Sequence, residues 1–219
     1  MARGLFVTGT DTGVGKTVVS AALLVRYRRR FALRYWKPIQ TGIEQDDDTA
    51  DVRRLAACEA HEVRDDGVRL RQPVSPHLAA RLANVRIGLD AIGTLEPEGP
   101  ARWVVEGAGG VLVPINEADL MVDLMARLAL PVVVVARATL GTINHTLLTL
   151  EALTSRGLRV AGVVMVGAPD GENRHAIESY GGTRVLGELP HLSPLTPATL
   201  EAWARTNLDP QDHLMGSLE

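Results

Sequence analysis

A glycine-rich segment that ends in Gly15-Lys16-Thr17 has the clearest capacity for chemistry in this sequence. It follows the apolar run Leu5-Phe6-Val7 and precedes an apolar, helix-forming segment that begins at Val18. A strand, a turn of small residues and a helix in this order place backbone N–H groups and a helix N-terminus around an anion, which suits the phosphates of a nucleotide. We expect Lys16 to reach the outer phosphates and the Thr17 hydroxyl to hold Mg²⁺.

The loop departs from the usual phosphate-loop pattern, which requires glycine five positions before Gly15. Thr10 stands at that position, and the glycine lies one place earlier, at Gly9. We interpret the loop as a variant with one extra residue. A chance glycine-rich turn is the alternative, and the intact Gly-Lys-Thr between a predicted strand and a predicted helix argues against it.

Further candidate residues follow other predicted strands. In an open parallel sheet, ligands collect beyond the carboxyl ends of the strands, so these residues are candidates for the same site. Lys37 begins the segment Lys37-Pro38-Ile39-Gln40-Thr41-Gly42, where it can lean over the phosphates while Pro38 fixes the turn. A solvated lysine is the alternative, and position alone does not decide between the two.

Carboxylates form another group of candidates. Glu106 ends an apolar predicted strand and precedes a predicted loop of small residues, Gly107-Ala108-Gly109-Gly110. P-loop proteins place a Mg²⁺-linked carboxylate at such a strand end, and glycine lets the backbone approach phosphate closely. The acidic run Asp46-Asp47-Asp48, with Asp51 behind it, is normally a solvated loop, but beside a nucleotide one of these carboxylates can complete the metal shell.

A last candidate is the loop that precedes the predicted helix at 142–155. It comprises Ala138-Thr139-Leu140-Gly141-Thr142-Ile143-Asn144-His145. The first backbone N–H groups of the helix can bind an anion such as a carboxylate. On its own this signal is weak, because every loop that ends at a helix start has such groups.

Composition narrows the class of protein. The 219 residues are enough for one sizeable core, and 46% of them are apolar. The net charge of −3 gives no basic excess that would indicate a nucleic-acid partner. Cys58 is the only cysteine, which excludes an intrachain disulfide and fits a reducing cytoplasm. The most apolar stretch, Leu128 to Ala136, is too short to span a bilayer, and we find no signal-peptide pattern, so we expect a cytoplasmic protein without a membrane partner.

Short apolar runs alternate with helical patterns, which is typical of a mostly parallel sheet covered by helices on both faces. The pattern predicts strands at about 4–8, 33–36, 102–106, 132–136, 160–166 and 184–187. It predicts helices near 15–29, 48–58, 75–84, 119–129, 142–155, 172–180 and 197–205, with a surface connector at 96–100. No boundary signal divides residues 1–219, so we expect a single domain with a three-layer, P-loop NTPase-like α/β fold.

Four of these motifs together resemble the dethiobiotin synthetase family, the ATP-dependent carboxylases of biotin biosynthesis. They are Gly9-Thr10-Asp11-Thr12-Gly13-Val14-Gly15-Lys16-Thr17, Lys37-Pro38-Ile39-Gln40-Thr41-Gly42, Val105-Glu106-Gly107-Ala108-Gly109-Gly110 and Leu140-Gly141-Thr142-Ile143-Asn144-His145. The C-terminal part of the chain resembles the family only through Gly187-Glu188-Leu189-Pro190. The resemblance implies that 7,8-diaminononanoate takes up CO₂ on one amine as a carbamate. ATP then phosphorylates the carbamate, and the second amine closes the ring to give dethiobiotin, ADP and phosphate.

The resemblance also implies roles for individual residues. Lys37 and Lys16 are implied to be catalytic, and Thr17, Asp48 and Glu106 to bind Mg²⁺, with Asp51 as the alternative to Asp48. The implied nucleotide-binding residues are Gly13, Val14, Gly15, Lys16, Thr17, Val18, Asp48, Glu106, Gly107, Ala108, Gly109, Gly167 and Pro190. The implied substrate-binding residues are Thr12, Lys37, Thr41, Gly141, Thr142, Ile143 and Asn144. In the family, the last four of these reach across the two-fold interface of a homodimer.

One departure from the family concerns the nucleotide base. Some members have asparagine after the strand at 160–166, whereas this chain reads Met165-Val166-Gly167-Ala168, with no side-chain amide. A site that lacks this paired hydrogen-bonding group discriminates poorly among bases, so we expect nucleoside triphosphates other than ATP to be accepted.

Two other functions occur on related chains. Nucleotide-switch ATPases of the partitioning and division-site type carry a signature lysine near the start of the phosphate loop, where this chain has Thr10-Asp11-Thr12. Amide-forming ligases related to cobalamin biosynthesis normally add a glutaminase domain with a nucleophilic cysteine, and Cys58 lies in a predicted helix. Both features favour the synthetase.

Overall fold

Parallel strands form the central sheet of the computed structural model, which describes residues 2–95 and 101–219. The connector predicted at 96–100 lies outside these ranges. In chain order the strands are β1 (Gly4–Gly9), β2 (Leu33–Trp36), β3 (Ile39–Thr41), β4 (Val63–Arg64), β5 (Val68–Leu70), β6 (Arg102–Gly110), β7 (Val132–Arg137), β8 (Val160–Val166) and β9 (Val185–Leu189). The main sheet has the order β4-β2-β6-β1-β7-β8-β9, and β3 pairs with β5 separately.

Helices cover both faces of the main sheet. They are α1 (Lys16–Tyr27), α2 (Asp48–Leu55), α3 (Pro76–Leu82), α4 (Met121–Leu128), α5 (Thr142–Thr154), α6 (Gly171–Gly181), α7 (Pro197–Asn207) and α8 (Met215–Leu218). Buried residues of α1, α2, α7 and α8 pack on one face, and those of α3, α4, α5 and α6 pack on the other. The predicted three-layer α/β architecture is confirmed.

The valine run in β7 explains how both cores share one sheet. Val132 and Val134 face the core under α3 to α6, whereas Val133 and Val135 face the core under α1 and α7. Side chains alternate between the faces of a strand, so a strand that is covered on both sides needs apolar residues at every position. β1, which lies between β6 and β7 at the centre of the sheet, is likewise buried at all six positions.

The structure corrects the prediction that residues 107–110 form a loop, since β6 continues through Gly110. A Cβ at Gly107 would lie 2.9 Å from the Phe6 ring, and one at Gly110 would lie 3.3 Å from the Gly9 carbonyl oxygen. Glycine at these positions therefore lets β6 remain beside β1 as the two strands reach the phosphate loop.

Other corrections concern short elements and helix ends. The sequence did not predict β3, β4, β5 or α8, each of which has only two to four residues and so too few to show a period. The helix predicted at 48–58 ends at Leu55, which leaves Cys58 outside it. No helix within residues 2–95 and 101–219 has the length and apolar content needed to cross a membrane.

Candidate active site

The loop between β1 and α1 has a backbone that depends on glycine. Gly13 and Gly15 have φ values of +69° and +98°, in the region that residues with a Cβ rarely adopt. Gly15 is the N-cap of α1, and a Cβ there would lie 3.2 Å from Val166 at the end of β8. The Thr10 N–H donates to the Val135 carbonyl oxygen at 2.9 Å, which fixes the loop to β7. The loop thus has the strand–turn–helix geometry of an anion site.

The chain has only two lysines, and both lie at this site. Lys16, the first residue of α1, is 7% exposed, and its Nζ donates to the Asp11 carbonyl oxygen at 3.0 Å. Burial, followed by the nearby positive charge of Lys37, lowers the pKa of Lys16 from 10.5 to about 8. The protein therefore holds a buried cation that lacks a carboxylate of its own and faces the loop.

Lys37 follows β2 directly and lies between two carboxylates. Its Nζ is 2.8 Å from Glu106 Oε1 and 2.7 Å from Asp48 Oδ2. The Thr17 hydroxyl donates to Asp48 Oδ1 at 2.7 Å and lies 3.1 Å from Glu106 Oε1. We call these four residues, Thr17, Lys37, Asp48 and Glu106, the Lys37 cluster. It joins α1, the end of β2, the start of α2 and the middle of β6.

The charges of the Lys37 cluster are mutually stabilised. Burial by itself would lower the pKa of Lys37, but the carboxylates of Glu106 and Asp48 outweigh that effect and raise it. Burial likewise opposes ionisation of Asp48, but Lys37 and the Thr17 hydroxyl outweigh it, so the pKa of Asp48 lies below its ordinary value. The ammonium and the Asp48 carboxylate are therefore both charged at neutral pH.

Tyr35 is a member of the site that the sequence analysis missed. It is fully buried, and its hydroxyl donates to Glu106 Oε2 at 2.9 Å. Burial, and then the negative charge of Glu106, raises the pKa of the Tyr35 phenol well above 10, so it remains protonated. Tyr35 looks like an ordinary core aromatic in the sequence. Its position two residues before Lys37 was the available signal, because alternate residues of a strand share a face.

Polar contacts hold the acidic loop against the cluster. Gln40 is buried and donates to the Asp46 carbonyl oxygen at 2.8 Å. The Asp47 side chain accepts from the Ala50 N–H at 3.1 Å and caps α2, so Asp48 is the first residue of that helix. Arg69 donates to the Lys37 carbonyl oxygen at 2.8 Å. Neither the Gln40 side chain nor Arg69 was predicted as part of the site, because long-range contacts of this kind leave no local pattern in the sequence.

The oxygens of the Lys37 cluster form a donor set that fits a hard cation. Thr17 Oγ1 lies 2.7 Å from Asp48 Oδ1 and 3.1 Å from Glu106 Oε1, so two carboxylates meet at one hydroxyl. Asp51 instead pairs with Arg54 at 2.6 Å on the surface. The described residues contain no group of three or more His, Cys, Asp or Glu side chains arranged to hold a metal. Mg²⁺ needs no such group, because it keeps several waters and phosphate oxygens as ligands.

The residues implied to bind substrate lie on three segments of the chain. Thr12 is exposed in the phosphate loop, and Thr41 ends β3. Gly141 has φ +94° and is the N-cap of α5, where Thr142 is buried and Asn144 is exposed. Within the described residues the Thr142 hydroxyl has no hydrogen-bond partner. The Thr142 N–H donates to the Thr139 carbonyl oxygen at 3.1 Å. Among the described residues, no hydrogen bond or ion pair joins the start of α5 to the Lys37 cluster.

The region implied to bind the base lies where β8 and β9 end. The Gly167 N–H donates to the Leu189 carbonyl oxygen at 2.9 Å, which brings Gly167 beside Pro190. A Cβ at Gly167 would lie 3.1 Å from Ala138. The Asn173 amide donates to the Ala138 carbonyl oxygen at 3.3 Å and to Asp170 at 2.8 Å. The end of β8 thus has no side-chain amide of its own, but Asn173 of α6 places one nearby.

One residue beyond the predicted set also contacts the phosphate loop. Arg137, the last residue of β7, pairs with Asp11 Oδ2 at 2.9 Å and donates to the Thr12 carbonyl oxygen at 3.1 Å. It holds the segment that contains the extra residue of the loop. With the loop, the two lysines and the Lys37 cluster on one edge of a parallel sheet, the fold and the site define a P-loop nucleotide-binding protein.

Comparisons with known proteins agree with this class and narrow it. A family described as an AAA domain matches residues 3–199. The chain is 52% identical over 198 residues to the ATP-dependent dethiobiotin synthetase of Paramagnetospirillum magneticum, which covers 90% of this chain and 93% of the relative. It is 48% identical to the synthetase of Nitrobacter hamburgensis, with 93% and 94% covered. The chain belongs to the dethiobiotin synthetase family, and the resemblance predicted from four motifs is confirmed.

Solved structures of remote relatives share the fold. The MinC:MinD cell division protein complex of Aquifex aeolicus contains a chain that matches with a TM-score of 0.57, covering 98% of this chain and 96% of that one. The two sequences are only 12% identical, so this likeness concerns the fold alone.

Proposed function

We infer that the protein is an ATP-dependent dethiobiotin synthetase of biotin biosynthesis. It converts 7,8-diaminononanoate, CO₂ and ATP into dethiobiotin, ADP and phosphate through a carbamate and its mixed anhydride with phosphate. The observation that carries this proposal is the Lys37 ammonium, buried between Asp48 and Glu106 beside the phosphate loop, in a chain 52% identical to a synthetase.

The two lysines suit the phosphoryl-transfer step. A carbamate is a weak anionic nucleophile, so its attack on ATP mainly needs charge neutralisation and alignment. Lys16 would bind the outer phosphates, and Lys37 would neutralise the carbamate and the transferring phosphoryl group. Because Lys37 is 3% exposed, its charge is poorly screened by water and acts strongly on a nearby anion.

The donor set of the Lys37 cluster supports a Mg²⁺ site formed by Thr17, Asp48 and Glu106. When bound, the cation would neutralise charge on the ATP phosphates. Asp48 is favoured over Asp51 because its carboxylate contacts Thr17, whereas Asp51 pairs with Arg54 at the surface. The loop residues Gly13 to Val18 would hold the phosphates through their backbone N–H groups.

We also propose a homodimer in which the start of α5 binds the distant carboxylate of the substrate in the partner's site. The first turn of α5 has no side-chain cap, and Leu140 before it is fully exposed, and both features support this arrangement. Thr12 and Thr41 would contact the diamine or its carbamate. The enzyme would be cytoplasmic, and residues 1–219 would form one domain, since both halves of the chain supply strands to one sheet.

Phosphate release in the presence of ATP, Mg²⁺ and bicarbonate, with and without 7,8-diaminononanoate, tests the function. The synthetase requires the diamine and yields a product heavier than the diamine by CO₂ minus water. Hydrolysis that ignores the diamine would instead support the nucleotide-switch ATPase. Consumption of ATP that requires ammonia or glutamine and a carboxylic acid would support the amide-forming ligase.

A further inference from the structure

Tyr35 places a hydroxyl in the core where phenylalanine would fill nearly the same space. The side chain is fully buried in the same apolar core as Leu33 and Val104. Removing a hydroxyl from water without a partner costs free energy, so a buried phenol needs an acceptor. Glu106 Oε2 is that acceptor, at 2.9 Å. The hydroxyl therefore serves the carboxylate, because the packing alone does not require it.

The two oxygens of Glu106 have different partners. Oε1 faces the Lys37 cluster, with Lys37 Nζ at 2.8 Å and Thr17 Oγ1 at 3.1 Å. Oε2 accepts from Tyr35, which is not part of the cluster. If Lys37 turns toward a bound carbamate, Oε1 loses a partner but Oε2 keeps its own. Tyr35 thus fixes the plane of the carboxylate whichever partner Oε1 has.

We propose that Tyr35 is a positioning residue, which holds Glu106 Oε2 so that Oε1 stays directed at the cation site beside the phosphate loop. This inference rests on the proposed function, because it assumes the Mg²⁺ site described above. Groups that hydrogen-bond a metal-binding carboxylate fix its orientation, and their loss typically lowers metal affinity by about 10- to 100-fold.

The chain offers a matched control in Tyr27. This tyrosine is also fully buried, and its hydroxyl donates to a buried carboxylate oxygen, Asp209 Oδ2, at 2.5 Å. Tyr27 is the last residue of α1, whereas Lys16 is the first, so the two are separated by ~16 Å along the helix axis. Tyr35→Phe and Tyr27→Phe each remove one oxygen atom from a buried phenol–carboxylate pair, one at the site and one remote from it.

The deciding measurement is the affinity for ADP by calorimetry, once with Mg²⁺ and once with EDTA. We expect the gain in affinity that Mg²⁺ provides to fall ~10-fold in Tyr35→Phe and to stay at the wild-type value in Tyr27→Phe. In turnover assays, Tyr35→Phe should need ~10-fold more Mg²⁺ for half-maximal rate and recover near wild-type kcat at saturating Mg²⁺. A purely structural role would lower stability in both variants and leave the Mg²⁺ dependence unchanged, and that outcome would overturn the proposal.

The proposal and the Mg²⁺ site can fail separately. Equal ADP affinity in Mg²⁺ and EDTA for the wild-type protein would remove the metal site, and the role of Tyr35 with it. A normal Mg²⁺ effect in both the wild type and Tyr35→Phe would remove the role of Tyr35 alone.

A second measurement applies if Tyr35→Phe does not fold. The chain has three tyrosines, so 3-fluorotyrosine labelling gives three ¹⁹F resonances that single Tyr27→Phe and Tyr180→Phe variants assign. Adding Mg²⁺ to the ADP complex should shift the Tyr35 resonance and leave that of Tyr27 in place. A Tyr35 resonance that does not respond to Mg²⁺ contradicts the proposal.

Discussion

The ammonium group of Lys37 lies 2.8 Å from Glu106 Oε1, and both side chains are buried, with 3% of Lys37 and 0% of Glu106 exposed. The two residues are adjacent because β2 and β6 are neighbouring parallel strands, with Trp36 opposite Val105 in the register. The pairing of two neighbouring strands thus sets the distance between a cation and an anion that lie 69 positions apart in the sequence.

Lys37→Ala should lower kcat by at least ~100-fold, which is typical for the loss of one electrostatic stabiliser in an active site. It also leaves the Glu106 and Asp48 carboxylates without their shared cation, so the free energy of unfolding should decrease. Steady-state kinetics and thermal unfolding of the same preparation separate the two effects. Near wild-type turnover in a folded Lys37→Ala variant would remove Lys37 from the mechanism.

Asp48→Asn and Asp51→Asn form a matched pair that tests the metal ligand. Asp48→Asn should raise the Mg²⁺ concentration for half-maximal activity by more than ~10-fold, because it alters an oxygen donor beside Thr17. Asp51→Asn should stay near the wild type, since an exposed ion pair such as Asp51–Arg54 contributes little. Titration of activity with Mg²⁺ checks both variants, and the reverse ranking would assign the ligand to Asp51.

Nucleotide binding should take up protons near pH 8. The pKa of Lys16 is lowered to about 8 in the free protein, and bound phosphates raise it by favouring the charged ammonium. ADP affinity in EDTA should therefore fall as the pH rises above 8. The lowered pKa also affects the stability of the free protein. Between pH 8 and 10.5 the unfolded chain binds more protons at Lys16 than the folded one does, so the contribution of Lys16 to the free energy of unfolding increases with pH there.

Calorimetry in two buffers of different ionisation enthalpy measures this proton uptake. Lys16→Arg is the control, because a guanidinium stays charged over this range and should give no uptake at the residue. Equal uptake in the wild type and in Lys16→Arg would show that another group supplies the proton linkage.

The base site should be permissive. Val166 and Gly167 carry no hydrogen-bonding side chain, so we expect CTP and GTP to support turnover with kcat/KM within ~10-fold of ATP. Val166→Asn would introduce the amide found in some relatives and should favour ATP. Phosphate release with each nucleotide checks this. A strong preference of the wild type for ATP would indicate that another group, such as the Asn173 amide, reads the base.

Mixing two inactive variants should restore activity if the start of α5 serves the partner's site. Lys37→Ala disables the phosphoryl-transfer part of a site, and Thr142→Asp places a negative charge where we expect the substrate carboxylate. In a two-fold dimer, a hybrid of the two variants contains one site with both parts intact. Turnover that is recovered after the mixture has been unfolded and refolded supports the shared site. A refolded mixture that remains inactive contradicts it.

The sequence predicted the phosphate loop, the order of the main layers and the residues of the Lys37 cluster, because each lies at a strand end or in a motif that local pattern reveals. The short strands β3, β4 and β5 were missed because few residues show no period. The segment at 107–110 was predicted as a loop from its glycines, but close packing against Phe6 requires small residues within a strand. Tyr35 and Arg69 act through contacts with residues distant in sequence, which pattern alone does not reveal.

The confinement of both lysines to the site has a consequence for covalent chemistry. An amine attacks acylating and aldehyde reagents only in its neutral form, and guanidinium groups do not react because they remain protonated. Lys37 is held as an ammonium by its carboxylates, whereas Lys16, with a pKa of about 8, is partly neutral at physiological pH. Apart from a free N-terminus, amine-directed labelling of the folded protein should therefore converge on one nucleophile, and a bound nucleotide should shield it.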